Sequence, residues 1–446
     1  MRFWDKSSTF AVEMDIRNLI QLSGVRNFTK LLSANVVAQV IGLLVYPILT
    51  RIYAPEDFGL LNLFLSIGGV LTILSTAEYY YAIVLPKNQK DAISVLYVGL
   101  GCLLFVSLLI GISVFFADPI SKLLKSPLLA SYYWMMPIYV FVMGAWNLLN
   151  YWYIRSTEYG RISGYQISQS VLSASGKIGL GYAGVLQGGM IYSVVFAPLV
   201  SLFLSVCRLR GKANVWQQTV DGSVSWQDVC AKAKEYKNFP VFVLPRSFVN
   251  MLAGQMPILL LTPFFGAKLV GLYSLALLLG YTPVGTITRA VYQVLYQQTM
   301  TLVHQSKPIG IIFKRFLLGS SCVIIPLFIG LSFILPELTS WLFGAEWYMS
   351  GRLICWMLPW LYVSFLSCSI NYLFDVFMKQ KWGLCFEILL AICRVLGLVV
   401  GVIADDFVLA IAAYSIGTTI ALVIQLVWML LLVKRYDLSL NIERKC

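Results

Sequence analysis

Apolar runs near the length of a bilayer recur from one end of the chain to the other, and they decide its class. A helix needs about 20 apolar residues to cross the hydrocarbon core. Twelve candidate spans follow, at 30–50, 58–85, 92–117, 131–154, 163–183, 189–207, 239–262, 270–298, 311–335, 351–377, 382–403 and 407–433. Hydrophobic residues make up 59% of the chain and charged ones 12%, a balance that no soluble domain of 446 residues keeps. The runs lack the period-two alternation of membrane barrel strands. An all-α polytopic membrane protein is expected.

Positive charge sets the orientation. With the N-terminus inside, 24 of the 33 Lys and Arg fall in inside segments and 5 in outside loops, the asymmetry of a chain with both termini cytoplasmic. The formal charge of +13 is accounted for this way, without nucleic acid. The longest hydrophilic stretch lies between spans six and seven. It divides the chain into a cytoplasmic N-terminal segment (1–29), a six-helix bundle (30–207), a cytoplasmic linker (208–238), a second six-helix bundle (239–433) and a cytoplasmic tail (434–446).

The second bundle opens like the first. VYPILTRIYAPEDFGLLNLFLSI (45–67) is echoed by GQMPILLLTPFFGAKLVGLYSLALLL (254–279), with Pro-Ile-Leu and a later Gly-Leu-x-x-Leu in both. Six spans per copy give both copies the same orientation, so these are parallel repeats about an axis along the membrane normal, a transporter pattern with a central cavity. Shifted by 211 positions, Asn35 and Gln39 fall opposite Arg246 and Asn250. The first span places Asn35, Gln39, Gly42 and Tyr46 on one face, which suits a cavity and not lipid.

Ionisable residues inside spans are expensive and usually face a cavity or a partner. The basic set is Lys177, Arg246, Arg289 and Arg394; the acidic set is Glu78, Asp375 and Glu387. Arg289 carries Tyr292, Gln293, Tyr296 and Gln297 on its helical face, a ladder that suits a phosphate followed by sugars. Arg246 either snorkels to the inner edge or joins the cavity with Asn250. Lys177 follows the small-residue run SASG, which also reads as close helix packing. Arg394 lies seven residues after Glu387 on one face, so the two either neutralise each other or serve a ligand. Asp375 reads as an i, i+4 partner of Lys379, Glu78 as part of an interfacial belt with Tyr79–Tyr81, and Trp341, Trp347 and Tyr348 as the outer belt. Glu78 and Asp375 are the candidates for ion coupling.

Dropping the two interfacial acids leaves the deep charge positive, so an anionic substrate is expected. The 9 cysteines form no CxxC pair and His304 stands alone, which leaves zinc chemistry and a Ser-His-Asp triad little to build on. No Walker motif is present, so no nucleotide cofactor is expected and coupling to an H+ or Na+ gradient stays open.

LLSANVVAQVIGLLVYPILTRIYAPEDFGLLNLFLSI, followed by AEYYYAIVLPKNQKDA, resembles the N-terminal region of Wzx-type O-antigen flippases. These are polysaccharide members of the multidrug/oligosaccharidyl-lipid/polysaccharide exporter superfamily. The resemblance is close over about the first ninety residues and covers the twelve-span topology throughout. It implies a non-enzymatic flippase of a bacterial inner membrane that moves undecaprenyl-pyrophosphate-linked oligosaccharide between leaflets by rocking two bundles. It also implies an O-antigen polymerase and a chain-length regulator as partners. A multidrug exporter of the same superfamily, the nearest rival, calls for an acidic cavity. A membrane-embedded O-antigen polymerase or transferase calls for a sizeable periplasmic loop or a paired histidine.

Overall fold

The computed structural model describes residues 39–186, 188–209 and 224–443. All regular structure among them is helical. Asn35 and the whole of the expected N-terminal segment (1–29) lie outside the described residues.

Helix α1 (Gln39–Ile52) is followed by α2 (Pro55–Ser75). Pro55 opens α2 where an N–H is dispensable, and the Asp57 carboxylate accepts the Ala54 N–H at 3.0 Å, half of a capping box. Next come α3 (Gln89–Ser113), α4 (Ala117–Leu123), α5 (Pro127–Tyr133), α6 (Met136–Arg155), α7 (Tyr159–Tyr182), α8 (Gly189–Leu209) and α9 (Trp226–Glu235). The remainder comprises α10 (Leu244–His304), α11 (Gly310–Phe343), α12 (Tyr348–Ser369), α13 (Leu373–Val376), α14 (Gln380–Ile403) and α15 (Phe407–Glu443).

Among the described residues eight helices are long and apolar enough to cross a membrane, and the α5–α6 pair, bent by 59°, makes a ninth. Three features reconcile this number with twelve runs. At 61 residues α10 would extend about 92 Å, three bilayer cores, unless it were two spans. It is broken at Gly266, whose φ of 81° only glycine adopts without strain. The Ser- and Gly-rich α7 is long enough but too polar to pass, and α1 is described only from Gln39.

The chain forms two compact units. Met1–Ile52, Phe64–Lys122 and Pro127–Leu252 make the first; Tyr53–Leu63, Leu123–Ser126 and Ala253–Cys446 make the second.

In the first unit α3 and α6 meet through paired glycines, Gly99 making room for Leu148 and Gly144 for Leu103. Trp146 of α6 stacks on Tyr165 of α7, and Tyr153 shares a 2.9 Å hydrogen bond with Ser205 of α8. Arg155 ends α6 by donating to the carbonyls of Ile83, Val84, Pro86, Lys87 and Asn88. Inside the expected linker, Ser225 and Asp228 build a capping box that starts α9. That helix docks through Lys90–Asp228 (2.8 Å) and Lys232–Asp91 (3.1 Å), and Tyr79 donates to the Ala233 carbonyl. Val229 is buried beside Tyr79 and Val98.

In the second unit α14 and α15 touch backbone to backbone, Gly397 against Ala413 and Tyr414, Gly401 against Ala410. Gly351 gives α11 and α12 the same intimacy. A core that includes Phe313, Phe365, Tyr372, Phe386 and Met429 joins α11 to α15. Trp347 is 1% exposed and packs edge-on against Phe58 at 4.9 Å, so it belongs to the core and not to the outer belt.

The two segments expected to repeat touch within this unit. A Cβ on Gly59 would strike the Ala267 carbonyl, and one on Gly271 would strike the Pro55 carbonyl. Glu56 and Lys268 stand 3.6 Å apart. A shift of 212 residues carries Pro55 onto Ala267, Glu56 onto Lys268 and Gly59 onto Gly271, so each contact is the mirror of itself. The Pro-Ile-Leu segments, by contrast, match at a shift of 210. A single shift of 211 fits neither, and the pairing of Asn35 with Arg246 and of Gln39 with Asn250 is not supported. The loop between the helices absorbed the difference, as loops do.

Candidate functional site

Each unit holds its own share of the residues expected to act. In the first, Glu78 is not on an interfacial helix. The α2 helix ends at Ser75, and Ala77 and Glu78 take left-handed backbone, φ 48° and 62°, before a short 3-10 turn at Tyr79–Val84. Such conformations strain residues that carry a Cβ. The carboxyl group is 1% exposed, hydrogen-bonded by the side chains of Tyr80 and Ser247, and its Oε2 has no partner. Tyr80, Tyr81 and Tyr151 form a ring cluster beside it, with centroids 4.4–5.1 Å apart. Arg246 and Asn250 lie exposed on α10, next to and one turn beyond Ser247. Gln39 and Lys177 are half-buried on α1 and α7 and each has an interaction partner, so neither is a free group.

In the second unit the ladder below Arg289 divides. Tyr292 and Tyr296 turn to Tyr372, with centroids 5.3 and 5.2 Å away, and Tyr372 shares a 2.8 Å hydrogen bond with Thr299. Arg289, Gln293 and Gln297, at i, i+4 and i+8, stay exposed as a polar stripe. On an otherwise apolar helix such a stripe does not suit lipid.

Arg394 departs most from expectation. It makes no ion pair with Glu387, because seven residues place them about 10.5 Å apart along the axis. Its guanidinium lies over the Tyr414 ring at 6.0 Å, and its buried Nε has no hydrogen-bond partner. Trp360 meets Tyr414 edge-on at 5.4 Å and stacks on Tyr281 at 5.7 Å. Arg394 is thereby set against one ring of an aromatic cluster and makes no ion pair among the described residues. Cation–π contact fixes its place without quenching its charge. The cluster was missed in the sequence because Tyr281, Trp360 and Tyr414 come from three separate helices. Only Tyr281, eight residues before Arg289 on the same face, left a periodic signal.

Asp375 is exposed and makes no ion pair with Lys379. The four-residue α13 stops at Val376 and Met378 takes φ 53°, so no helical i, i+4 geometry exists there. No group of three metal-ligating side chains occurs among the described residues.

Residues 48–351 match the model of the family described as polysaccharide biosynthesis protein. The chain belongs to that family. A curated relative is the succinoglycan biosynthesis transport protein ExoT of Rhizobium meliloti (strain 1021), 24% identical over 308 residues. The match covers 68% of this chain and 58% of ExoT, less than two thirds of the relative's length. Among solved structures, the polysaccharide biosynthesis chain is similar in fold to an inward-facing multidrug resistance MATE family transporter of the MOP superfamily. That match has a TM-score of 0.67 and 13% identity and covers 90% of this chain and 95% of the other. It is also similar to the lipid II flippase MurJ in an inward closed conformation, with TM-score 0.65, 11% identity, and coverage of 92% and 89%. At these identities the likeness is one of fold. The all-α, multi-pass membrane class and the resemblance to polysaccharide flippases both hold.

Proposed function

We propose that this protein is an inner-membrane flippase. In this reading it carries undecaprenyl-pyrophosphate-linked O-antigen units from the cytoplasmic to the periplasmic leaflet by alternating access, with both termini cytoplasmic. The single observation that carries the reading is Arg394, half-buried against the Tyr414 ring of an aromatic cluster and without an ion pair among the described residues. A desolvated, unneutralised guanidinium attracts a phosphate far more strongly than an exposed one and grips it in fork geometry. Arg289 adds a second cation, and Gln293 and Gln297 follow it with amides suited to sugar hydroxyls. A family of polysaccharide biosynthesis proteins and a MurJ-like fold support a lipid-linked substrate. Arg246 and Lys177 are supplementary cations. Glu78, buried with a free oxygen, suits coupling to H+ or Na+ better than exposed Asp375. An O-antigen polymerase and a chain-length regulator would receive the product. The succinoglycan relative favours a second reading, an exopolysaccharide repeat unit as cargo in place of O-antigen.

The test is complementation of a strain lacking its own O-antigen flippase. Arg394→Ala is expected to cut surface polysaccharide more than tenfold at unchanged protein level, and Arg289→Ala to do the same less severely. Normal polysaccharide from Arg394→Ala would overturn the assignment. Failure of the unmodified protein in that strain, with rescue of an exopolysaccharide-deficient one, would select the second reading.

A further inference from the structure

A cavity lies far along α11 and α15 from Arg394. At about 470 Å³, within the range of small-molecule pockets, it opens between the start of α11 and the end of α15. Its walls are apolar, with Phe313, Leu317, Leu318, Leu430 and Val433 among them, and Lys314 and Lys434 stand at its edge. Both lysines are exposed, which brings two cations to one mouth.

Asp437 also lines the cavity, but its charge is already engaged. Its two carboxylate oxygens accept the backbone N–H groups of Ile309 and Gly310, each at 2.8 Å, and cap α11. Lys314 and Lys434 make no ion pair among the described residues. The depth follows from helix length. With 34 and 37 residues, α11 and α15 extend about 51 and 56 Å against a hydrocarbon core of about 30 Å. Their paired ends, where the cavity lies, therefore emerge at headgroup level.

We propose that this cavity binds an anionic phospholipid of the surrounding bilayer. The phosphodiester lies between Lys314 and Lys434, and the upper part of an acyl chain runs along Leu317, Leu318 and Leu430. The charge selects the occupant: a zwitterionic lipid brings its own cation to a mouth that already carries two. A basic pocket between membrane helices is where anionic headgroups bind. This site is separate from the one proposed to hold the transported molecule and does not depend on it.

The experiment uses the full-length protein in nanodiscs of phosphatidylcholine containing one fifth phosphatidylglycerol, with retained lipid counted by native mass spectrometry. The wild type is expected to retain phosphatidylglycerol over phosphatidylcholine at least fivefold above their ratio in the disc. Lys314→Ala with Lys434→Ala should abolish that preference, Lys314→Arg with Lys434→Arg should keep it, and Arg394→Ala should leave it unchanged. Leu317→Trp, which fills the cavity and leaves every cation in place, should also lower retention, with thermal unfolding confirming that each variant is folded. Free glycerol phosphate should not displace the lipid. Equal retention of the two lipids by the wild type, or full preference in the double alanine variant, would overturn the proposal. Displacement by glycerol phosphate would overturn it in favour of a soluble phosphate ligand.

Discussion

Arg155 and Arg394 are both half-buried arginines on membrane helices, and the protein treats them in opposite ways. Arg155 distributes its guanidinium over five backbone carbonyls of the turn after α2. These carbonyls lie in the segment from the end of the 3-10 turn to the start of α3, so the side chain closes an irregular stretch of backbone. Arg394 closes nothing. It lies over a ring, keeps a buried Nε without a partner and makes no ion pair among the described residues. A structural arginine is recognised by how completely its donors are used, and an arginine kept for a ligand by how incompletely.

The comparison is sharpest in paired variants. Arg155→Ala should lower stability by about 2–3 kcal/mol, the scale of losing charge-assisted hydrogen bonds in a partly exposed site, and should reduce polysaccharide only as protein is lost. Arg394→Ala should leave the unfolding temperature at or above that of the wild type, since removing an unpaired, partly buried charge relieves a desolvation penalty. Thermal unfolding in detergent beside protein-normalised polysaccharide decides between them. A large stability loss from Arg394→Ala would erase the distinction.

A smaller effect tests the cluster. Tyr414→Leu removes the ring beneath Arg394, a contact of about 1 kcal/mol, and should lower transport roughly fivefold without unfolding the protein. Unchanged transport would mean that the ring only fills space.

The smallest effect concerns charges that are paired and exposed, those that dock α9. The ammonium of Lys90 and the Ser225 N–H hold the Asp228 carboxyl below its usual range. Glu235 and Asp91 raise the Lys232 ammonium. A depressed carboxyl stabilises above its unfolded pKa and loses that contribution as pH falls; a raised ammonium stabilises below its own and loses it as pH rises. Docking of α9 should therefore be firmest between about pH 5 and 10. Hydrogen exchange of the α9 amides should show protection falling as pH drops below about 4 and as salt rises. Protection indifferent to both would assign the docking to Val229 and Tyr79 alone.

The membrane class was fully legible, because apolar run length is a property of one segment at a time. Most span positions were legible for the same reason, Gly266 marking where one long helix had to be two. What escaped depends on contacts between segments. Glu78 looked interfacial beside its tyrosines because nothing local shows that the helix stops at Ser75 or that Ser247 reaches back to it. Trp347 looked like belt because the partner that buries it, Phe58, lies nearly 300 residues away. Glu387 and Arg394 were read as neighbours from a shared face, when shared faces two turns apart do not touch. One local signal was overlooked: Ser225 and Asp228, spaced as a capping box, announce α9 within a stretch that reads as linker.

The contact between Glu56 and Lys268 carries a meaning beyond its 3.6 Å. These residues occupy matching positions in the two segments expected to repeat, at a point where those segments touch. Two identical polypeptides meeting there would set glutamate against glutamate, or lysine against lysine, and repel. Opposite charges at one self-facing position require two copies that differ, and a single continuous chain guarantees that they always meet as that unlike pair.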